Sequence, residues 1–265
     1  MARRLVDLTT LLVVIFLMGP LVVIIAGSFT ETPYVAFPPE GFTLKWYQAL
    51  FQRQDFLESF IDSLLLAGLS TVVATVLGTL AALSIARKGE AGREFLRGFF
   101  MLPLILPTIV TGVALFQFMR TSEIGMALLP GNWAGLLLGH TLITIPYVVR
   151  TVGASLVSLD PSLAEAAEGL GARPSRVLFG VIMPAIMPAV MVSLIFCFIL
   201  SFDQVTISIF LSGPDVTTLP IRIYNYIEFA IDPMIAAVSA LLILFAYVLV
   251  LGLERTVGLN NAFGK

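Results

Sequence analysis

The chain of 265 residues is 58% hydrophobic and only 12% charged, with a mean hydropathy of +0.99, a composition that no soluble domain of this size keeps out of aggregation. A net charge of -2 and a sequence pI near 5.4 exclude the basic footprint of a nucleic-acid-binding protein. Lipid is therefore the expected solvent.

Ionisable groups are expensive at the centre of a bilayer, so charge-free gaps of roughly 20 residues mark candidate spans. The first, Leu8 to Phe29, follows Arg3 and Arg4. It ends in Ala26-Gly27-Ser28 like a signal peptide, but the apolar run is longer than a signal's hydrophobic region and reads as a span. The segment from Thr30 to Asp62 mixes Pro33, Pro38 and Pro39 with charges and with Phe42, Trp46 and Tyr47. It suits an ordered stretch along the interface, its aromatics acting as belt anchors, and is too polar for a seventh span. Ser63 to Ala86 and Gly98 to Met119 are the second and third spans, joined by the short basic connection Arg87 to Arg97. The gap from Ile124 to Val149 exceeds what a span requires and places the fourth helix at about Trp133 to Thr151. Val177 to Phe202, interrupted by Asp203 and resuming to Leu211, places the fifth at about Ala185 to Leu211; Pro233 to Leu253 is the sixth.

Continuous runs of this length argue for helices, because a barrel strand needs only about ten residues and alternates polar with apolar side chains. The expected fold is an all-α integral membrane protein with six transmembrane helices, forming one membrane domain over residues 1–265. Of the 15 Lys and Arg residues, only Lys45, Arg53, Arg120 and Arg222 would face outward if the N-terminus is inside; the other 11 (15 − 4) would be cytoplasmic. Positive residues are retained on the cytoplasmic side during insertion, which predicts an N-in, C-in topology.

Within the spans, the single Cys197 excludes a disulfide framework, and nothing has metal-ligand spacing. His140, with no Cys, Asp or Glu near it in the pattern, reads as a hydrogen-bonded bundle residue before a proton relay. Met183, Met187 and Met191 form a packing stripe before a metal path. Pro103, Pro107, Pro146, Pro184 and Pro188 must kink or locally open the hydrogen-bond ladder.

The segment 158–184 is patterned like structure although it lies between spans. Asp160-Pro161 is an N-cap followed by a first-turn proline, and Leu163, Ala166, Ala167 and Leu170 share one helical face. Gly169 and Gly171 stop that helix, and Pro174 opens a second whose Val177, Leu178, Val181 and Ile182 lead into the fifth span. Alanines on the contact face allow close approach of another surface. From the pattern alone, docking of a partner and packing against the chain's own bundle both stand.

Glu165-Ala166-Ala167, three residues, Gly171, nine residues, then Val181-Ile182-Met183-Pro184 resembles the EAA loop of ABC importer permeases, in which Ile and Leu stand at the positions of Val181 and Met183. Across nearly the whole chain the likeness is to the second permease of spermidine/putrescine-type importers. It is carried by Gly41-Phe42-Thr43 with Lys45-Trp46-Tyr47, Ser201-Phe202-Asp203, and Gly213-Pro214 with Thr218-Leu219-Pro220. The resemblance implies the type I permease architecture with a cytoplasmic coupling helix, in the bacterial cytoplasmic (inner) membrane. It also implies a heterodimer with a sister permease, two cytoplasmic ATPase subunits and a periplasmic substrate-binding protein. Glu165, Ala166, Ala167, Leu170, Gly171 and Pro184 would couple the chain to the ATPase, Glu165 by charge, the alanines by close packing and Gly171 by its turn. No cofactor is expected on this chain; ATP and Mg would be used by the partner ATPase, since no G-x-x-x-x-G-K-[ST] phosphate loop is present.

Asp203 interrupts an apolar span and is the candidate for a cation-attracting group on the substrate pathway, with an interhelical or intersubunit hydrogen bond as the alternative. Its neighbour Gln204 stands where polyamine-type relatives often carry a second acid, so a smaller amine or amino-acid-like solute is as open as a polyamine. A secondary transporter or channel would fit the hydropathy but not the loop, and no inverted repeat is visible. A membrane-embedded enzyme would need a cluster of catalytic groups that the spans lack.

Overall fold

In lipid the outer face of a helix must be as apolar as a soluble core, so the face that meets other helices is marked instead by small and hydroxyl-bearing side chains. The computed structural model, which describes residues 2–128, 131–230 and 232–257, is all-helical on this pattern. The helices are α1 (Ala2–Gly27), α2 (Lys45–Gln52), α3 (Gln54–Ala86), α4 (Glu90–Ile105), α5 (Thr108–Thr121), α6 (Glu123–Leu128) and α7 (Gly131–Ser158). There follow α8 (Pro161–Gly169), α9 (Pro174–Val177), a π-helical turn (Leu178–Ile182), α10 (Met183–Phe202), α11 (Thr206–Leu211), α12 (Leu219–Phe229) and α13 (Met234–Val257). Lys265, counted among the inward positive charges, lies outside the described residues.

Among the described residues, five segments are long and apolar enough to cross a membrane: Leu5–Gly27, Gln54–Ala86, Gly131–Ser158, Pro174–Phe202 and Met234–Gly252. The expected third span differs. It is the pair α4 and α5, bent by 95° at Leu106-Pro107, and counts as a sixth span only as a broken one. Pro107 has no N–H to continue the ladder and drives Leu106 into extended backbone (φ -73°, ψ 134°). The fourth helix runs beyond Trp133–Thr151 at both ends, to Gly131 and Ser158.

The fifth helix is also corrected. It does not run from Ala185 to Leu211 but starts at Pro174, continues through the π turn and stops at Phe202. The π turn has a local cause: Pro184 offers no N–H to the carbonyl of Gly180 and its ring would collide with it. The ladder widens by one residue there, and the Met183 N–H bonds Leu178 O instead.

Contacts divide the chain into two compact units, one of Met1–Glu58 with Arg222–Thr256 and the other centred on Ser59–Ile221. In the second, α3 buries Ser63, Ala67, Ser70, Thr71, Ala74, Thr75, Gly78, Thr79 and Ala82, while Leu65, Leu69, Val72, Val76, Leu77 and Leu80 point outward. A Cβ on Gly78 would lie 2.6 Å from the Cβ of Val148, so α3 and α7 approach closely enough that no side chain fits between them. α7 is the axis of this unit: α4, α5, α10 and α11 all pack on it. One apolar cluster joins Leu66, Leu136, Ile143, Ile207 and Leu211; a second joins Ala82, Val148, Val152, Ile186, Val190 and Cys197.

In the first unit, the stretch after α1 is ordered by its aromatics. Phe29 stacks on Phe42 at 5.0 Å, Trp46 Nε1 donates to Thr30 O at 2.8 Å, and the Tyr47 hydroxyl bonds Ser28 Oγ at 2.7 Å. At the start of α3, Arg53 grips Asp55 through two hydrogen bonds of 3.1 and 2.8 Å and lies over the rings of Phe56 and Tyr226. Tyr226 in turn donates to Asp232 Oδ2 at 2.7 Å, which holds the turn before α13.

Candidate functional site

α8 is a nine-residue helix too short to persist on propensity alone, and both its ends are closed by side chain or backbone. At the N-terminus, Asp160 Oδ1 accepts from the Ser162 N–H at 2.9 Å and Pro161 takes the first helical position. At the C-terminus, Ala172 N–H donates to Ala167 O at 3.1 Å and Gly171 N–H to Glu168 O at 2.8 Å, the paired bonds of a Schellman motif. Gly171 sits at φ +82°, where a Cβ would be strained although no neighbouring atom lies within 4 Å of it. Backbone conformation, not space, requires glycine there.

The helix so fixed buries none of its residues. Leu163 is 49% and Leu170 90% exposed, and Glu165 and Ala166 are exposed beside them. Within the second unit α8 packs chiefly on the α9 and π-turn segment that follows it. Pro184, also exposed, stands in the first turn of α10 next to the π turn. Glu165, Ala166, Ala167, Leu170 and Gly171 therefore share one short projecting element, with Pro184 on the helix that carries it. Most of this surface is left open, while Ala167 is half-buried where α8 packs on the segment that follows it.

Asp203 is not inside a helix. It is the C-cap of α10, its N–H bonded to Ile199 O at 3.1 Å, at the break before α11. Its side chain is exposed and has no hydrogen-bond or ion-pair partner among the described residues. The end of α10 adds the partial negative charge of its last carbonyls, so the carboxylate and the helix terminus reinforce each other toward a cation. Gln204 completes the break; Ser208 Oγ donates to its carbonyl at 2.7 Å, while its side-chain Nε2 is buried without a partner among the described residues.

His140 is a bundle residue held on both sides, with Nδ1 2.8 Å from Ser201 Oγ and Nε2 3.0 Å from Ser208 Oγ; Ser201 is also 2.8 Å from Ser70 Oγ. One imidazole thus ties α3, α7, α10 and α11 just beneath the break at Asp203. Sequence reasoning found the histidine but not its serines, which lie 61 to 70 residues away and carry no pattern of their own. Met183 packs on the second apolar cluster, whereas Met187 is exposed.

The described residues thus hold a span bent by 95°, a span that runs through a π turn, and a helix capped at both ends yet unburied. The model of the family described as binding-protein-dependent transport system inner membrane component matches residues 74–258. The spermidine/putrescine transport system permease protein PotC of Escherichia coli (strain K12) is 31% identical over 236 residues, 89% of this chain and 87% of that protein. The putrescine transport system permease protein PotI of the same strain is 31% identical over 231 residues, covering 86% and 82%. Among solved structures, a bacterial ABC transporter involved in the import of the acidic polysaccharide alginate has a chain that matches with a TM-score of 0.78 at 19% identity, covering 100% of this chain and 96% of that one.

The chain belongs to the family of binding-protein-dependent transport system inner membrane components. It is a permease subunit of an ABC importer, a multi-pass protein of the bacterial inner membrane, and a transport subunit rather than an enzyme.

Proposed function

We propose that residues 1–265 act as a single permease domain forming half of a translocation pathway for a small amine, with a polyamine as the first candidate. A periplasmic binding protein would deliver the solute, a sister permease would supply the other half, and two ATPase subunits would drive the cycle with ATP and Mg. The observation that carries this reading is α8, rigid at both ends with Leu163 and Leu170 left bare. Such a helix transmits the closure of an ATPase pair as a rigid lever, Glu165 making the charged contact and Ala166 and Ala167 the close one. The named solutes of PotC and PotI and the unpaired Asp203 at a helix C-terminus both support a cationic substrate. Gln204, in place of a second acid, favours an amine of lower charge as the second candidate.

The test is the ATPase activity of the reconstituted complex with its binding protein, across polyamines, monoamines and amino acids. One liganded binding protein should stimulate hydrolysis. The stimulation should fall at least tenfold in Glu165→Lys and Gly171→Asp proteins, the loss of about 1.4 kcal/mol of coupling. Gly171→Asn, which tolerates positive φ, should retain most of it. Full stimulation in the Glu165→Lys complex would remove α8 from the coupling path.

A further inference from the structure

Between the ends of α3 and α7, beside α4, lies a cavity of about 880 Å³. Arg93, Arg97 and Met101 reach it from one face of α4 at i, i+4 and i+8, and Arg150 lines it from α7. No aspartate or glutamate lines it, and none of the three arginines makes an ion pair among the described residues. Arg93 Nη2 donates to the carbonyls of Ala86 and Lys88 at 3.4 and 3.3 Å, both uncharged acceptors. The remaining wall is apolar, with Ala82, Ile85, Val149, Leu156 and Val157 prominent in it.

Three guanidiniums without an ion-pair partner among the described residues and an apolar wall at the ends of two spans suit a ligand that is anionic at one end and hydrocarbon at the other. A free phosphate would satisfy the charge and leave the wall wet, and 880 Å³ is many times the volume of such an ion. A basic pocket between membrane helices next to apolar surface is the arrangement that takes phospholipid headgroups. We propose that this cavity binds an anionic phospholipid, its phosphodiester accepting hydrogen bonds from Arg93, Arg97 and Arg150 and an acyl chain running along α3 and α7. Leu159 and Pro161 complete the lining, so the bound lipid touches the root of α8.

The experiment uses the assembled complex in nanodiscs with equal phosphatidylglycerol and phosphatidylcholine of matched chains. The ratio of the two lipids retained after detergent washing is read by mass spectrometry. The wild-type complex should retain phosphatidylglycerol preferentially. That preference should fall about fivefold for each guanidinium removed, in Arg97→Gln and Arg150→Gln proteins, since each juxtamembrane cation contributes a factor of that order. Arg120→Gln, which removes an arginine outside the cavity, should leave the ratio unchanged. Ala154→Trp, which narrows the cavity beside Arg150 and keeps every arginine, should also lower the preference, and decides the matter if the arginine variants do not assemble. Equal retention of the two lipids by the wild type, or an unchanged ratio in the Arg97→Gln/Arg150→Gln protein, would overturn the proposal. So would displacement of the lipid by millimolar inorganic phosphate alone, which would make the site one for the free ion. Preference in the isolated chain that vanishes in the complex would give the cavity to a partner subunit instead.

Discussion

Asp160 and Gly171 hold α8 from its two ends by different means, a carboxylate that accepts a backbone N–H and a backbone that turns left-handed. Hydrogen bonds from Ser162, the backbone one first, keep the Asp160 carboxyl below its usual value of 3.8. A carboxyl depressed in the folded state contributes stability that is fully present above the unfolded value and lost as pH falls through the folded one. Amide exchange in α8, corrected for intrinsic rates, should therefore accelerate as pH drops below about 3.8. Asp160→Asn, an equally good cap that does not titrate, should make it pH-independent. Unchanged pH dependence in that variant would place the sensitive group elsewhere. Both caps were legible in the sequence, because capping depends on residues within two or three positions of the helix end. Asp203 was legible as an exception but not as a cap, since whether a helix continues past a carboxylate depends on what the next turn packs against.

Among the elements, α3 shows how a membrane helix chooses its inner face. Its buried side is mostly alanine, glycine, serine and threonine, with Phe56, Leu66 and Ile85 as the large exceptions, and its outer side is rich in leucine and valine, the reverse of a soluble amphipathic helix. A charge count finds such a helix but not its orientation. The close approach at Gly78 makes the prediction specific: Gly78→Leu must push α3 from Val148 and should cost about 1–3 kcal/mol. A drop of several degrees in the unfolding midpoint of the purified protein would register this, with Leu77→Ala on the outward face as the control. An unaltered midpoint would mean that the two helices separate freely. The charge gaps set the fifth helix eleven residues late at its start (185 against 174) and nine late at its end (211 against 202). Charge gaps locate what lipid tolerates, whereas the helix begins at a proline outside the gap and ends where Ser201 and Ser208 turn inward to His140.

For the whole molecule, the asymmetry of Lys and Arg predicts that α8 faces the cytoplasm and the loop after α1 faces the opposite side. Cys197 is buried, so single cysteines placed at Ser162 and Tyr34, both exposed, can be read on the native background. A membrane-impermeant maleimide should label the Tyr34→Cys chain in spheroplasts and the Ser162→Cys chain only after permeabilisation; the opposite pattern would invert the orientation. By itself the sequence determined that the chain lives in lipid, that it is helical, and that one short helix between spans is capped and carries an apolar face. Those properties follow from transfer free energies and local hydrogen bonding, which act within a span or a turn. Pro107 marks where the third span breaks, but tertiary structure alone decided that the face of α8 is left bare and that arginines from α4 and α7 meet in one cavity. Each of these depends on residues tens of positions apart being brought together or kept apart, and no local preference encodes that.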